Sequence, residues 1–153
     1  MKDFLTSLMM NGPLVTALIS MGSAQIVKLF LYVFKDKRLN FHHLIEAGGM
    51  PSAHAAMVSA LTVALGFTQG WDSPIFAAAI SFSLVVMYDA TGVRRASGLH
   101  GLALNKILDD LQIRDELLLK KFKEIMGHTP VEVAVGSIYG IVVAVLIYLF
   151  FPL

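Results

Sequence analysis

Cysteine is absent from the 153 residues. Disulfides, thiolate metal sites and phosphatases or transferases built on a cysteine nucleophile are excluded with it. Charge is also scarce: Asp, Glu, Lys and Arg make up 15% of the chain, against about 25% in soluble domains. The net charge of +1 carries none of the basic excess by which a nucleic-acid-binding surface is recognised. Internal repeats and low-complexity tracts are missing too, and the length suits a single domain spanning 1–153.

What fills the space is apolar. Hydrophobic residues are 56% of the chain and the mean hydropathy is +0.71, where soluble domains hold about 45–50% apolar residues. A short water-soluble chain has too much surface to hide that material, so lipid is the natural solvent. Eight methionines, ten phenylalanines and four tyrosines fit a core or a lipid-facing surface and identify no cofactor; none is expected. The N-terminus is a poor signal peptide. Lys2 is followed by Asp3, and Lys28 and more apolar sequence run on past the small residues Gly22-Ser23-Ala24.

A spanning helix needs about 20 largely apolar residues. Asn11-Gly12-Pro13 reads as a cap with proline in the first turn, so the first span is expected over 13–34, interrupted only by Lys28. Uncharged stretches at 55–71 and 73–88 and the apolar 133–153 supply three more. The short turn around Trp71 makes the second and third an antiparallel hairpin, with Trp71 suited to an interface. The fold expected is an all-α polytopic membrane helix bundle of about four transmembrane helices. A cytoplasmic amphipathic helical segment lies between spans three and four, over 97–126, where Leu104, Ile107, Leu108, Leu111, Leu117 and Leu118 recur at helical spacing. Its candidate roles are a cap over the bundle, an interfacial helix, or a lid or homo-oligomer contact.

Basic residues set the orientation. Lys35, Lys37 and Arg38 follow the first span; Arg94, Arg95, Lys106, Arg114, Lys120, Lys121 and Lys123 lie between the third and fourth; the hairpin turn has none. Both termini are therefore expected outside, with the two basic loops in the cytoplasm.

Three blocks hold most of the reactive side chains: Gly48-Gly49-Met50-Pro51-Ser52-Ala53-His54, Tyr88-Asp89-Ala90-Thr91-Gly92-Val93-Arg94-Arg95, and Gly127-His128-Thr129-Pro130-Val131-Glu132. The span order sends all three to the cytoplasmic face. Their chemistry suits a phosphate. Two helix N-termini, after Pro51 and Pro130, present free N–H groups and positive dipole ends. Gly49 permits close backbone approach, Arg94 and Arg95 offer guanidinium forks, and Ser52 a hydroxyl. His54 and His128 can serve as general acid and nucleophile. Glu132 can hold one imidazole N–H as the orienting third member of a triad.

Plainer readings stand beside these. Thr129-Pro130-Val131-Glu132 is a capping box with proline at its first helical position, Pro51-Ser52 can be ordinary helix-start chemistry, Arg94 and Arg95 can be positive-inside anchors, and Asp89 can pair with an arginine. Lys28, two turns inside the first span, is either a phosphate ligand or a lysine snorkelling to the headgroups. His42, His43 and Glu46 resemble a metal cluster only weakly, and no metal is expected.

Pro51-Ser52-Ala53-His54 resembles the P-S-G-H motif of the type 2 phosphatidic acid phosphatase superfamily, which includes vanadium-dependent haloperoxidases and lipid phosphate phosphatases. The three blocks in order resemble its divergent bacterial and plastid branch, over about 21–147. The resemblance implies a membrane phosphatase, in a bacterial plasma membrane, acting on a lipid or isoprenoid phosphate. Against the pattern K-x6-R-P, P-S-G-H, S-R-x5-H-x3-D, Lys28 matches the first lysine, Lys35 and Asp36 stand for Arg-Pro, and Ser52 and His54 match directly. Arg94 or Arg95 takes the third-block arginine without a preceding serine. For the nucleophile, His128-x3-Glu132 keeps the acidic partner, whereas Arg94-x5-His100 keeps the spacing to arginine but has Leu104 at the acidic position; His128 is preferred. The resemblance implies phosphate binding by Lys28, Ser52 and the arginines, proton donation by His54 and attack by His128. The alternative is a non-catalytic protein that binds anionic lipid headgroups or scaffolds a membrane complex.

Overall fold

The computed structural model describes residues 2–37, 48–111 and 127–151. These form six helices and, among the described residues, no strand: α1 (Lys2–Met9), α2 (Gly12–Asp36), α3 (Ala53–Gln69), α4 (Pro74–Thr91), α5 (Val93–Asp110) and α6 (Pro130–Phe150). His42, His43, Glu46, Arg38, Arg114, Lys120, Lys121 and Lys123 fall outside the description.

Local chemistry sets the helix starts. Asn11 caps α2 by accepting the Leu14 N–H at 3.1 Å, Ser73 caps α4 through the Phe76 N–H at 3.2 Å, and Thr129 caps α6; each of these helices has proline in its first turn. A missing proline N–H costs nothing there, because that group has no intrahelical partner anyway. Three stretches are long and apolar enough to cross a membrane, Gly12–Phe34, Pro74–Asp110 and Pro130–Phe150; α3 is a shorter apolar helix of 17 residues.

α3 is the hub, packed against α2, α4 and α6, whereas α2 and α4 do not touch one another among the described residues. Its neighbours approach closely because the meeting residues are small. Gly136 and Gly140 of α6 lie directly on the Ser52 and Ala56 carbonyl oxygens, leaving no room for a Cβ at either position. The same Ala56 carbonyl accepts the Ser20 hydroxyl of α2 at 3.2 Å. Thr62 and Ser83 join α3 to α4 through hydroxyls 2.8 Å apart, and Ser83 also donates to the Val58 carbonyl at 3.1 Å. The core is accordingly Ala17, Ala24, Ala53, Ala56, Ala60 and Ala64, while Phe30, Phe34, Phe82, Leu84, Val85 and Leu149 face outward. That inversion of a soluble core is expected in lipid, where large apolar side chains gain little by turning inward and small residues let backbones meet.

Two expectations are revised at α5. The helix starts at Val93, straight after Gly92, so Arg94 and Arg95 occupy its first turn rather than a loop. Its buried residues are Gly98, Gly101 and Asn105, and Leu99, Leu104, Ile107 and Leu111 are exposed. Up to Leu111 the leucine-rich face points away from the bundle and does not pack upon it as a cap; Leu117 and Leu118 lie outside the described residues.

Candidate functional site

The three chemically loaded blocks meet through their backbones. The Ser52 N–H donates to the Glu132 carbonyl at 3.2 Å, tying the start of α3 to the first turn of α6. The His128 N–H donates to the Ala90 carbonyl at 3.1 Å, tying the segment before α6 to the end of α4. Gly127 sits against the Arg95 backbone, where a Cβ would lie 2.8 Å from both the Ala90 carbonyl oxygen and the Arg95 Cα. A side chain at Gly127 would push His128 away from α4.

His128 is the best-defined side chain of the group. Its Nδ1 lies 3.2 Å from Glu132 Oε2, and 12% of the histidine side chain is exposed. The same Oε2 accepts the Thr129 N–H at 3.0 Å, and the Glu132 N–H returns a bond to Thr129 Oγ1 at 3.3 Å. Capping box and histidine orientation, alternatives at the level of sequence, are one arrangement. A carboxylate beside Nδ1 places the ring proton there and leaves the Nε2 lone pair free. Burial holds the imidazole's proton affinity below its ordinary value of 6.5; the bond to Glu132 and its charge pull the other way, and the charges of Lys28 and His54 add to the lowering. The ring is therefore neutral at pH 7 and competent as a nucleophile.

Lys28 is 3% exposed. It is folded into the bundle, and burial this complete removes the snorkelling reading. Gly49 lies against it, and Gly48 and Gly49 have φ of 117° and 84°, in the region that L side chains avoid. A Cβ on Gly49 would meet Tyr32 Oη at 2.6 Å and Lys28 Cε at 2.9 Å. Glycine at 49 is thus required twice, by its backbone angle and by the space. His54 stands exposed in the first turn of α3, near enough for its charge to act on His128.

Other candidates are placed differently. Ser52 is 0% exposed, and its hydroxyl oxygen accepts the Ala55 N–H at 3.4 Å as the cap of α3. Arg94 pairs with Asp89 at 2.6 Å, with 58% of its side chain exposed; the arginine–aspartate pair anticipated as a plain reading is present. Arg95 is half-buried beside Gly127, and His100 is exposed on α5. Among the described residues no group of three or more His, Cys, Asp or Glu could hold a metal ion.

Two features escaped the sequence reading. Gly136-Ser137-Ile138-Tyr139-Gly140 is a G-x-x-x-G pattern, a recognised signal of close helix contact in membranes, and it seats α6 on α3. Tyr32 has no such signal; it lies against Gly49, 17 positions away. A cavity of about 260 Å³ between α3, α4 and α6, lined by Thr62, Trp71, Phe76, Ser83, Met87 and Ile141, is almost wholly apolar. None of Lys28, His54, His128 or Glu132 lines it, so it is not where a phosphate would bind.

Fold and site together define an integral membrane protein with a buried lysine and two histidines gathered at one end of its helices. The chain belongs to the Divergent PAP2 family, whose profile matches residues 9–143. It is 33% identical to "Uncharacterized membrane protein YuiD" of Bacillus subtilis (strain 168), over 94% of this chain and 98% of that one. No solved structure matches it.

Proposed function

We propose that the protein is a membrane phosphatase, needing no metal, that hydrolyses a phosphorylated lipid or isoprenoid through a phosphohistidine at His128. The observation that carries this reading is the His128–Glu132 pair, a buried imidazole oriented by a carboxylate and kept neutral, at the same helix ends as the buried cation Lys28. His128 Nε2 attacks phosphorus, the bond from phosphorus to the ester or diphosphate oxygen breaks, and His54 gives its proton to the leaving oxygen. Water then attacks the phosphohistidine, His54 takes a proton back, and inorganic phosphate leaves. Lys28, the Gly49 backbone and the arginines hold the phosphoryl oxygens, stabilising charge that grows in the transition state. Arg95 is the nearer arginine by its backbone, and Arg94 joins by exchanging Asp89 for phosphate. Ser52 acts by seating the start of α3. The proposed membrane arrangement has four crossings, α3 among them, with this end of the bundle in the cytoplasm beside Lys37, Arg94, Arg95 and Lys106.

The test is phosphate release from a panel of lipid and isoprenoid phosphates by detergent-purified protein, with vanadate as inhibitor. Loss of release in His128→Ala and in His54→Ala is expected; release unchanged by both substitutions overturns the mechanism. The Arg94–Asp89 pair favours a second reading, in which the cationic site binds anionic headgroups without turnover. No release on any substrate, with orthophosphate still raising the melting temperature, selects that reading.

A further inference from the structure

Tyr32 lies one turn after Lys28 on α2, so the two share a helix face. Both reach the same point: the position of a Cβ on Gly49 is 2.6 Å from Tyr32 Oη and 2.9 Å from Lys28 Cε. The phenol oxygen and the end of the lysine chain are therefore neighbours beneath the Gly48-Gly49 turn, in a place no side chain from that turn can fill. The lysine is buried and the tyrosine half-buried.

We propose that Tyr32 is a phosphate-binding residue, its hydroxyl donating to a non-bridging oxygen of the phosphate whose charge is met by Lys28. The proposal rests on the reading of this site as a phosphate site and adds a ligand to it. The two groups do different work. An ammonium is a compact charge with three donors on a flexible stem and fixes position poorly. A phenol on a short, rigid side chain contributes one directed O–H donor, and its ring is half-buried. Together they give an anion both charge compensation and a defined orientation at the floor of the site.

Tyr32→Phe keeps the ring and deletes the donor. The measurement is isothermal titration of the detergent-purified full chain with orthophosphate and with vanadate, at a temperature well below melting, alongside the melting temperature without ligand. The expected result is affinity lower by roughly tenfold or more for both anions, as for loss of a hydrogen bond to a charged group. Unchanged affinity, whatever happens to the melting temperature, makes Tyr32 a prop for the loop and overturns the proposal. Gly49→Ala provides a second reading if Tyr32→Phe does not fold: its Cβ displaces the hydroxyl and the lysine, and unaltered anion affinity again overturns it. Wild-type protein that binds neither anion removes the phosphate site itself, a failure distinct from that of Tyr32 alone.

Discussion

Glu132 holds His128 at 3.2 Å with the carboxylate oxygen that also closes the cap of α6. One oxygen thus starts the helix and orients the imidazole standing before it. The orientation of the ring follows from the start of the helix, and no separate loop has to be ordered to obtain it.

The two roles can be separated by Glu132→Gln. Glutamine also serves at the third position of a capping box, so the melting temperature should change little. The carboxylate that fixes the Nδ1 proton is lost, and phosphate release should fall by about a hundredfold or more, in line with triads whose orienting acid becomes an amide. Activity near wild type in this variant removes Glu132 from the mechanism.

The pH profile carries a second prediction. The proton affinity of His128 is set below 6.5, chiefly by burial, so kcat/KM should rise through an acidic limb centred below that value. Glu132 pulls that proton affinity upward, so Glu132→Gln should move the limb to still lower pH. Stability has a related sign. Below about 6.5 the unfolded chain takes up a proton that the folded one resists, so the contribution of His128 is complete above that pH and is lost as pH falls to the folded-state value. Thermal melts across pH 5 to 8 check the trend, using His128→Gln as the reference.

Lys28→Met tests the buried cation. Methionine has similar length, so it keeps the apolar stem in place while the cationic head is lost. Vanadate inhibition should weaken by at least about tenfold, the loss expected of a charge-assisted contact. A large drop in melting temperature with intact vanadate inhibition would mean that Lys28 serves structure alone.

Gly140→Ala probes the helix contact. The added Cβ meets the Ala56 carbonyl, backbone that cannot step aside cheaply. Overpacking of this kind costs about 1–3 kcal/mol, read as a lower unfolding midpoint in detergent. Activity should fall as well, because Ser52 and Ala56 belong to the same end of α3 that carries His54. Alanine at the lipid-facing Ile138 should do neither.

Much of this arrangement could be read from residues alone, and the limits have physical causes. The starts of α2 and α6 were legible because Asn11 and Thr129 with their following prolines act within one turn. The meeting of the three blocks was legible because helices alternate direction. The direction of the leucines on α5 was not, since helical spacing shows that an apolar face exists and is silent on whether lipid or protein covers it. Tyr32 was hidden for another reason: its neighbour Gly49 is 17 positions away, and no helical or strand spacing links the two. The Arg94–Asp89 pair was foreseen as a plain ion pair, and the structure contains it.

The length of α3 has a consequence for how a substrate would be handled. Its 17 residues cover about 25 Å at the usual helical rise, short of the roughly 30 Å hydrocarbon thickness, whereas the 25 residues of α2 exceed it. With α3 as a span, the turn bearing Gly49, and His54 after it, is drawn below the headgroup plane. A phosphate reaching them sinks a few ångströms toward the ester layer while its tail stays in the leaflet. Soluble phosphate esters have no tail to hold them at that depth, so they would be disfavoured by location before any side chain discriminates among them.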